Sequence, residues 1–81
     1  MEDQSQLEKL RQTLIKVAEA SPAGSHIEVA EKMKKSPSYI YKIRVGINAK
    51  VDNEGNRKLI QKAIDAYRKI IEREQKKFAS L

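Results

Sequence analysis

The chain has no cysteine and no tryptophan, one phenylalanine, two prolines and three glycines. Without cysteine there is neither a disulfide framework nor a thiolate metal site, which agrees with a reducing compartment. Aromatic residues make up 5% of the 81 residues and apolar ones 40%, so a thin-cored single domain, residues 1–81, is expected, with no room for a large enclosed active site. Long apolar runs are missing as well: no stretch approaches the roughly 18 residues that span a bilayer. The first residues are mixed and acidic, where a signal peptide carries a basic and then an apolar block. A soluble, cytoplasmic protein without a membrane partner is expected. Strict apolar–polar alternation is also lacking, which argues against strands.

What the chain does have is charge. Charged residues are 35% of the sequence and the net charge is +6, spread unevenly: −1 over residues 1–25, +4 over 26–50 and +3 over 51–81. An excess that begins in the middle of the chain favours a polyanionic partner for that region. Catalysis finds little support. Glu28 and Glu31 are one helical turn apart, but no nucleophile–base pair, metal constellation or glycine-rich phosphate loop accompanies them, so an enzyme is not expected. No cofactor or small-molecule ligand is implied, and His26, the single histidine, lacks a second ligand for a metal.

Periodicity divides the chain into helices. Ser5-Gln6-Leu7-Glu8 has capping-box spacing, and Leu7, Leu10, Leu14, Val17 and Ala18 follow on one face, predicting a helix over about residues 5–20 that stops at Ser21-Pro22-Ala23-Gly24. A second capping box, Ser25-His26-Ile27-Glu28, predicts a short helix from His26 to Met33 or Lys34, with Glu28 engaged at the cap. At Lys34-Lys35-Ser36-Pro37 the pattern breaks and at once resumes. Ser36 suits an N-cap and Pro37 the first helical position, where its missing N–H costs nothing, so the apparent breaker is read as a starter. The third helix runs to about Val45 and stops at Gly46. A polar loop, with Asn53 or Asp52 as cap, leads into a long amphipathic helix over about 54–78. Its apolar positions, from Leu59 and Ile60 to Ile70 and Ile71, form two adjacent stripes. One is expected to pack on the other helices and one, with Phe78, to be free for a partner.

Two short helices about a tight turn are the layout of a helix-turn-helix, here over about residues 26–45. The geometry needs a small residue where the helices cross, supplied by Ala30, and apolar residues to hold them to the domain, supplied by Val29, Met33, Ile40 and Ile43. At about 100° per residue the third helix turns Ile40 and Ile43 inward and Ser38, Tyr41, Lys42 and Val45 outward. Lysine donates to guanine O6 and N7, serine bonds to either kind of pair, and Val45 suits a thymine methyl. Tyr39 and Arg44 on the flanks, Lys35 in the turn, His26, Asn48 and Lys50 suit phosphates. A Ser-Pro break also fits an ordinary helix corner. The small Ala30, the four apolar positions in register and the charge excess favour the DNA reading. Tyr39 and Tyr41 serve packing as readily as base contact, and the interleaved charges of the last helix fit a solvated, salt-bridged face.

Ala30-Glu31-Lys32-Met33 followed by Ser38-x-Ile40-x-x-Ile43-x-x-Gly46 resembles the helix-turn-helix of the lambda-repressor/Cro-like DNA-binding group, and Lys35-Ser36-x-Ser38-Tyr39-Ile40 resembles the ParB-like version of the motif. The likeness covers roughly residues 25–46. It implies an all-α, small four- to five-helix bundle with a central helix-turn-helix and a long C-terminal helix, binding double-stranded DNA as a homodimer in the bacterial cytoplasm or nucleoid. It also implies base contacts from Ser36, Pro37, Ser38, Tyr41 and Lys42, a phosphate contact from His26, and a role as a phage- or mobile-element-like transcriptional regulator. The family's turn glycine is replaced by Lys34, which implies a left-handed backbone at a lysine, and Pro37 stands where a base-bonding side chain is common. The alternative, of another class, is a helical protein-interaction module that uses the long C-terminal helix without binding DNA.

Overall fold

The computed structural model describes residues 5–79, and these form four α-helices: α1 (Gln6–Ala20), α2 (Ser25–Met33), α3 (Pro37–Val45) and α4 (Glu54–Ala79). No helix among the described residues is long and apolar enough to cross a membrane. The expected all-α architecture is present, with four helices.

Each helix starts for a local reason. Ser5 Oγ accepts from the Glu8 amide at 3.1 Å and opens α1. The reverse bond of a capping box is replaced: the Glu8 carboxylate turns forward to Gln12 (3.0 Å) and Arg11 (3.7 Å). Asn53, rather than Asp52, caps α4, its Oδ1 accepting from the Asn56 amide at 2.8 Å. Asp52 serves two other partners. It takes the Arg57 guanidinium at 2.6 Å, and the Leu7 and Gln6 amides are close enough to help lower its pKa, so a carboxylate lies near the free N–H groups that begin α1.

The second capping box does not form. α2 begins at Ser25, one residue earlier than expected, and its cap position is Gly24 at φ 85°, with no side-chain cap bond. Ser25 is buried, and its hydroxyl donates to the Pro22 carbonyl at 2.6 Å. Glu28, expected at the cap, instead makes a two-pronged pair with Arg73, both bonds 2.8 Å, tying the start of α2 to the far part of α4. The physical reason is reach: the tight Pro22–Ser25 turn takes the serine hydroxyl inward, and a guanidinium that binds both carboxylate oxygens outcompetes one backbone amide.

The core is drawn from all four helices: Leu7 and Leu14 from α1, Val29 and Ala30 from α2, Ile40 and Ile43 from α3, and Ile60, Ala63, Ile64, Ala66, Tyr67 and Ile70 from α4. Burying each of the large aliphatic side chains contributes about 1.5–3 kcal/mol relative to exposure. α4 lies against both α1 and α2, and α2 packs on α3. This contact consumes both apolar stripes of α4. Positions 60, 63, 64, 66, 67 and 70 are buried and Leu59 packs partly against them, so the expected free stripe reduces to half-buried Ile71 and to Phe78, 70% exposed. With 26 residues, α4 is about 39 Å long at 1.5 Å per residue, and none of its residues after Ile70 is buried.

Candidate nucleic-acid interface

The connection between α2 and α3 is three residues long, and its backbone explains how so short a turn holds. Lys34 is left-handed, φ 59° and ψ 42°. Its amide donates to Glu31 O at 3.1 Å, and the Lys35 amide donates to Ala30 O at 2.9 Å, the two bonds that close a helix end with a left-handed residue. That conformation at a residue with a Cβ costs about 1–2 kcal/mol. The chain then straightens at Ser36, whose Oγ accepts from the Tyr39 amide at 3.2 Å, and Pro37 opens α3. Both peptide ends of the turn are therefore satisfied without a glycine.

α3 is divided cleanly. Ile40 and Ile43 are fully buried, while Ser38, Tyr41, Lys42 and Val45 are exposed, Tyr41 at 54% and Val45 at 49%. Such exposure of a tyrosine and a valine on one short helix leaves an apolar–cationic strip facing solvent. The helix ends on one carbonyl: Lys42 O accepts from the amides of Gly46 (3.1 Å), Ile47 (2.9 Å) and Asn48 (3.2 Å), with Gly46 at φ 89°.

The residues expected at the interface fall into three groups. His26, in the first turn of α2, meets Pro37, Ser38, Tyr41 and Arg44 around one open cleft of about 480 Å³. Arg44 also borders a second hollow beside α1, where it meets Val45 and Lys50. Asn48 is half-buried in the loop that carries Lys50. Lys35 and Tyr39 form the third group: Lys35 Nζ stands 5.0 Å from the centroid of the Tyr39 ring, and that ring is half-buried against the core. Ser36 and Pro37 are exposed, but the Ser36 hydroxyl is engaged as the cap. Lys42, Arg44 and Lys50 form no ion pair among the described residues.

Beneath Arg44 lies Tyr67 of α4, 1% exposed. Burial raises the pKa of its hydroxyl, and the Arg44 guanidinium beside it acts in the opposite direction. The two are close enough to interact, yet the hydroxyl makes no bond of normal hydrogen-bond geometry. The phenol therefore serves as packing, with Arg44 as its lid.

Sequence reasoning missed Arg11. It is 7% exposed, and from α1 it donates Nη1 to Ile43 O near the end of α3 and Nη2 to Ala49 O at 2.8 Å in the following loop. Ala49 is itself left-handed, φ 58°, so the guanidinium pins a strained loop against α3 and thereby sets where Asn48 and Lys50 stand. The signal was present in the spacing: Arg11 stands four residues after Leu7 and three before Leu14, on the buried face of α1. Glu28–Arg73 was also unseen, because its partners are 45 residues apart.

No protein-family model, no curated protein and no solved structure matches this chain.

Proposed function

We propose that the protein is a sequence-specific DNA-binding regulator of the helix-turn-helix kind, laying α3 in the major groove with Ser38, Tyr41, Lys42 and Val45 toward base edges. His26, Arg44, Asn48 and Lys50 take flanking phosphates. The observation that carries this reading is the cleft in which the start of α2 meets the outer side of α3, with His26, Pro37, Ser38, Tyr41 and Arg44 around it. Beside it Lys42 stands exposed and, among the described residues, without a carboxylate partner. Support also comes from the left-handed Lys34, the backbone expected of a lambda-repressor/Cro-like turn, from buried Ala30, and from the net charge of +6. Ser36 acts through the turn rather than on a base, and Tyr39 is better suited to steadying Lys35 than to meeting a phosphate. In this reading the protein works as a homodimer in the cytoplasm, joined through the exposed end of α4 that bears Phe78.

Selection of bound sequences from a random duplex pool tests the reading directly. A recovered palindrome is expected, its half-site spacing near one helical turn, roughly 34–36 Å, or a multiple of it. Binding to random duplex should fall with salt at a log–log slope of about −0.9 per phosphate neutralised. Absence of binding at low salt rejects the reading. A second reading, a helical protein-interaction module built on α4, is favoured by the 70% exposure of Phe78. It is distinguished by self-association or partner binding that persists in a chain unable to retain DNA.

A further inference from the structure

The end of α2 and the middle of α4 enclose another concavity, of about 510 Å³, that shares no residue with the cleft on α3. Five lysines surround it: Lys32, Lys34, Lys35, Lys62 and Lys69. One carboxylate, Asp65, lies among them, and it accepts from Gln61 Nε2 at 3.0 Å. The local balance of +4 is held by a chain whose total is +6. Elsewhere on the molecule many cations are answered by the chain itself: Arg11 by Glu8, Arg57 by Asp52, Lys58 by Glu54, Arg73 by Glu28 and Lys77 by Glu74. Here they are not. Lys34, Lys62 and Lys69 form no ion pair among the described residues, Lys35 rests over Tyr39, and Lys32 reaches Glu28 only at Coulombic range.

The floor of the concavity is of another kind. Met33 and Leu59 are only partly buried and pack against the core, whose Ala66 also lines the concavity. Like charges gathered over a low-dielectric hollow repel one another and focus a positive potential, so the arrangement is destabilising until an anion fills it. A phosphate backbone answers the charge but has nothing to place on a methionine and a leucine. All five cations are lysines, point charges on flexible stems that suit carboxylates and phosphates alike, so it is the apolar floor that favours a protein segment over a phosphate backbone. Methionine adapts to whatever apolar side chain enters.

We propose that this groove docks an acidic amphipathic segment of a partner protein, its carboxylates on the lysines and one apolar side chain on Met33 and Leu59. The groove shares no residue with the α3 cleft, and of its lining Lys35 alone is among the residues expected to meet a DNA phosphate. A chain carrying both would hold a duplex and an acidic protein segment at once.

The test uses the full chain at about 150 mM salt, where exposed charges more than about 8 Å apart are largely screened. Fluorescence anisotropy follows three labelled probes: a helical peptide with glutamates on one side and leucine on the other, the same peptide with serine for leucine, and random-sequence duplex DNA. The leucine peptide should bind at least about tenfold more tightly than the serine peptide, the effect of burying one such side chain. Lys62→Glu with Lys69→Glu should weaken the leucine peptide at least about tenfold and the duplex less than about threefold, and Lys42→Ala should do the reverse. Both reversed lysines are exposed, and circular dichroism reports whether the variant folds. Should it not, amide shifts in the unaltered protein decide, with changes at Met33, Leu59 and Lys62 and none at Tyr41 on adding the leucine peptide. Equal binding of the two peptides, no peptide binding, or a reversal that weakens duplex as much as peptide overturns the proposal, the last by making the groove a DNA-backbone contact.

Discussion

The outer side of α3 and the polar side of α4 are both rich in cations, yet they are organised differently. Along α4 four of the cations meet carboxylates, two of them within the same helix: Lys58 with Glu54, Lys77 with Glu74, Arg57 with Asp52 and Arg73 with Glu28. From Lys32 to Val51 the sequence has no acidic residue, so Lys42 and Arg44 have none nearby in sequence, while Lys50 stands two residues before Asp52, which is taken by Arg57. Among the described residues none of the three acquires a carboxylate partner in the fold. Charge that is answered within the chain holds helices in place. Charge left unanswered on a rigidly supported face is available to a partner, and the two kinds cannot be told apart by counting lysines and arginines.

Removing the support beneath α3 should have the largest effect. Arg11→Met leaves the carbonyls of Ile43 and Ala49 without their charged donor, and a loss of about 2–4 kcal/mol in urea unfolding is expected, two charge-assisted bonds at about 1.5–3 kcal/mol each less what the new methionine regains. An unfolding curve unchanged from the parent's would show that α3 stands without it. Next in size is Lys42→Ala. Affinity for the selected duplex should fall by about 1–3 kcal/mol, roughly 5- to 150-fold, and less for random duplex, with stability within about 0.5 kcal/mol of the parent. Equal losses on both duplexes would reduce Lys42 to a phosphate contact and weaken the contrast with α4.

Lys34→Gly acts in the opposite direction. It relieves the left-handed backbone and should stabilise the chain by about 1 kcal/mol, seen as a raised Tm, while leaving DNA affinity within about twofold. A lowered Tm would mean that the lysine side chain holds the turn in a way its backbone does not reveal.

The smallest expected effect is on pH dependence. Arg73 holds Glu28 below its ordinary 4.5, and Arg57, with the Leu7 and Gln6 amides, holds Asp52 below its ordinary 3.8. Both folded values are depressed, so the stability these pairs contribute is fully present above the unfolded values and is lost as pH falls below about 4.5 and 3.8 through the folded ones. Glu28→Gln and Asp52→Asn should flatten the fall of stability below pH 5. Lys42→Ala, with no carboxylate partner to lose, should not change its slope.

How legible each part was follows from how far apart its causes lie. Ser36 and Pro37 act on residues within three positions, and the bounds of α3 were readable to the residue. The same rule failed at Ser25, where the Pro22 turn captured the hydroxyl, and at Glu28, where Arg73 arrived from the last helix. The two stripes of α4 were visible as pattern, but whether one stayed open depended on how α1 and α2 lie across it. The outward set Ser38, Tyr41, Lys42 and Val45 followed from helical geometry alone. That Tyr39 would lie under Lys35, and that Lys62 and Lys69 would join Lys32, Lys34 and Lys35 around one groove, did not.

By itself the sequence determined the four helices, most of their ends and the side of α3 that faces out, because hydrogen bonds and side-chain periodicity within a few residues decide these; the left-handed turn at Lys34 was implied by the likeness to the helix-turn-helix group. Only the tertiary structure decided which cations are answered and which are free, what α4 leaves uncovered, and that Arg11 of the first helix fixes the end of the third. Each of those depends on a guanidinium, a carbonyl or an apolar face brought from a distant part of the chain, and no local pattern specifies where that part comes to rest.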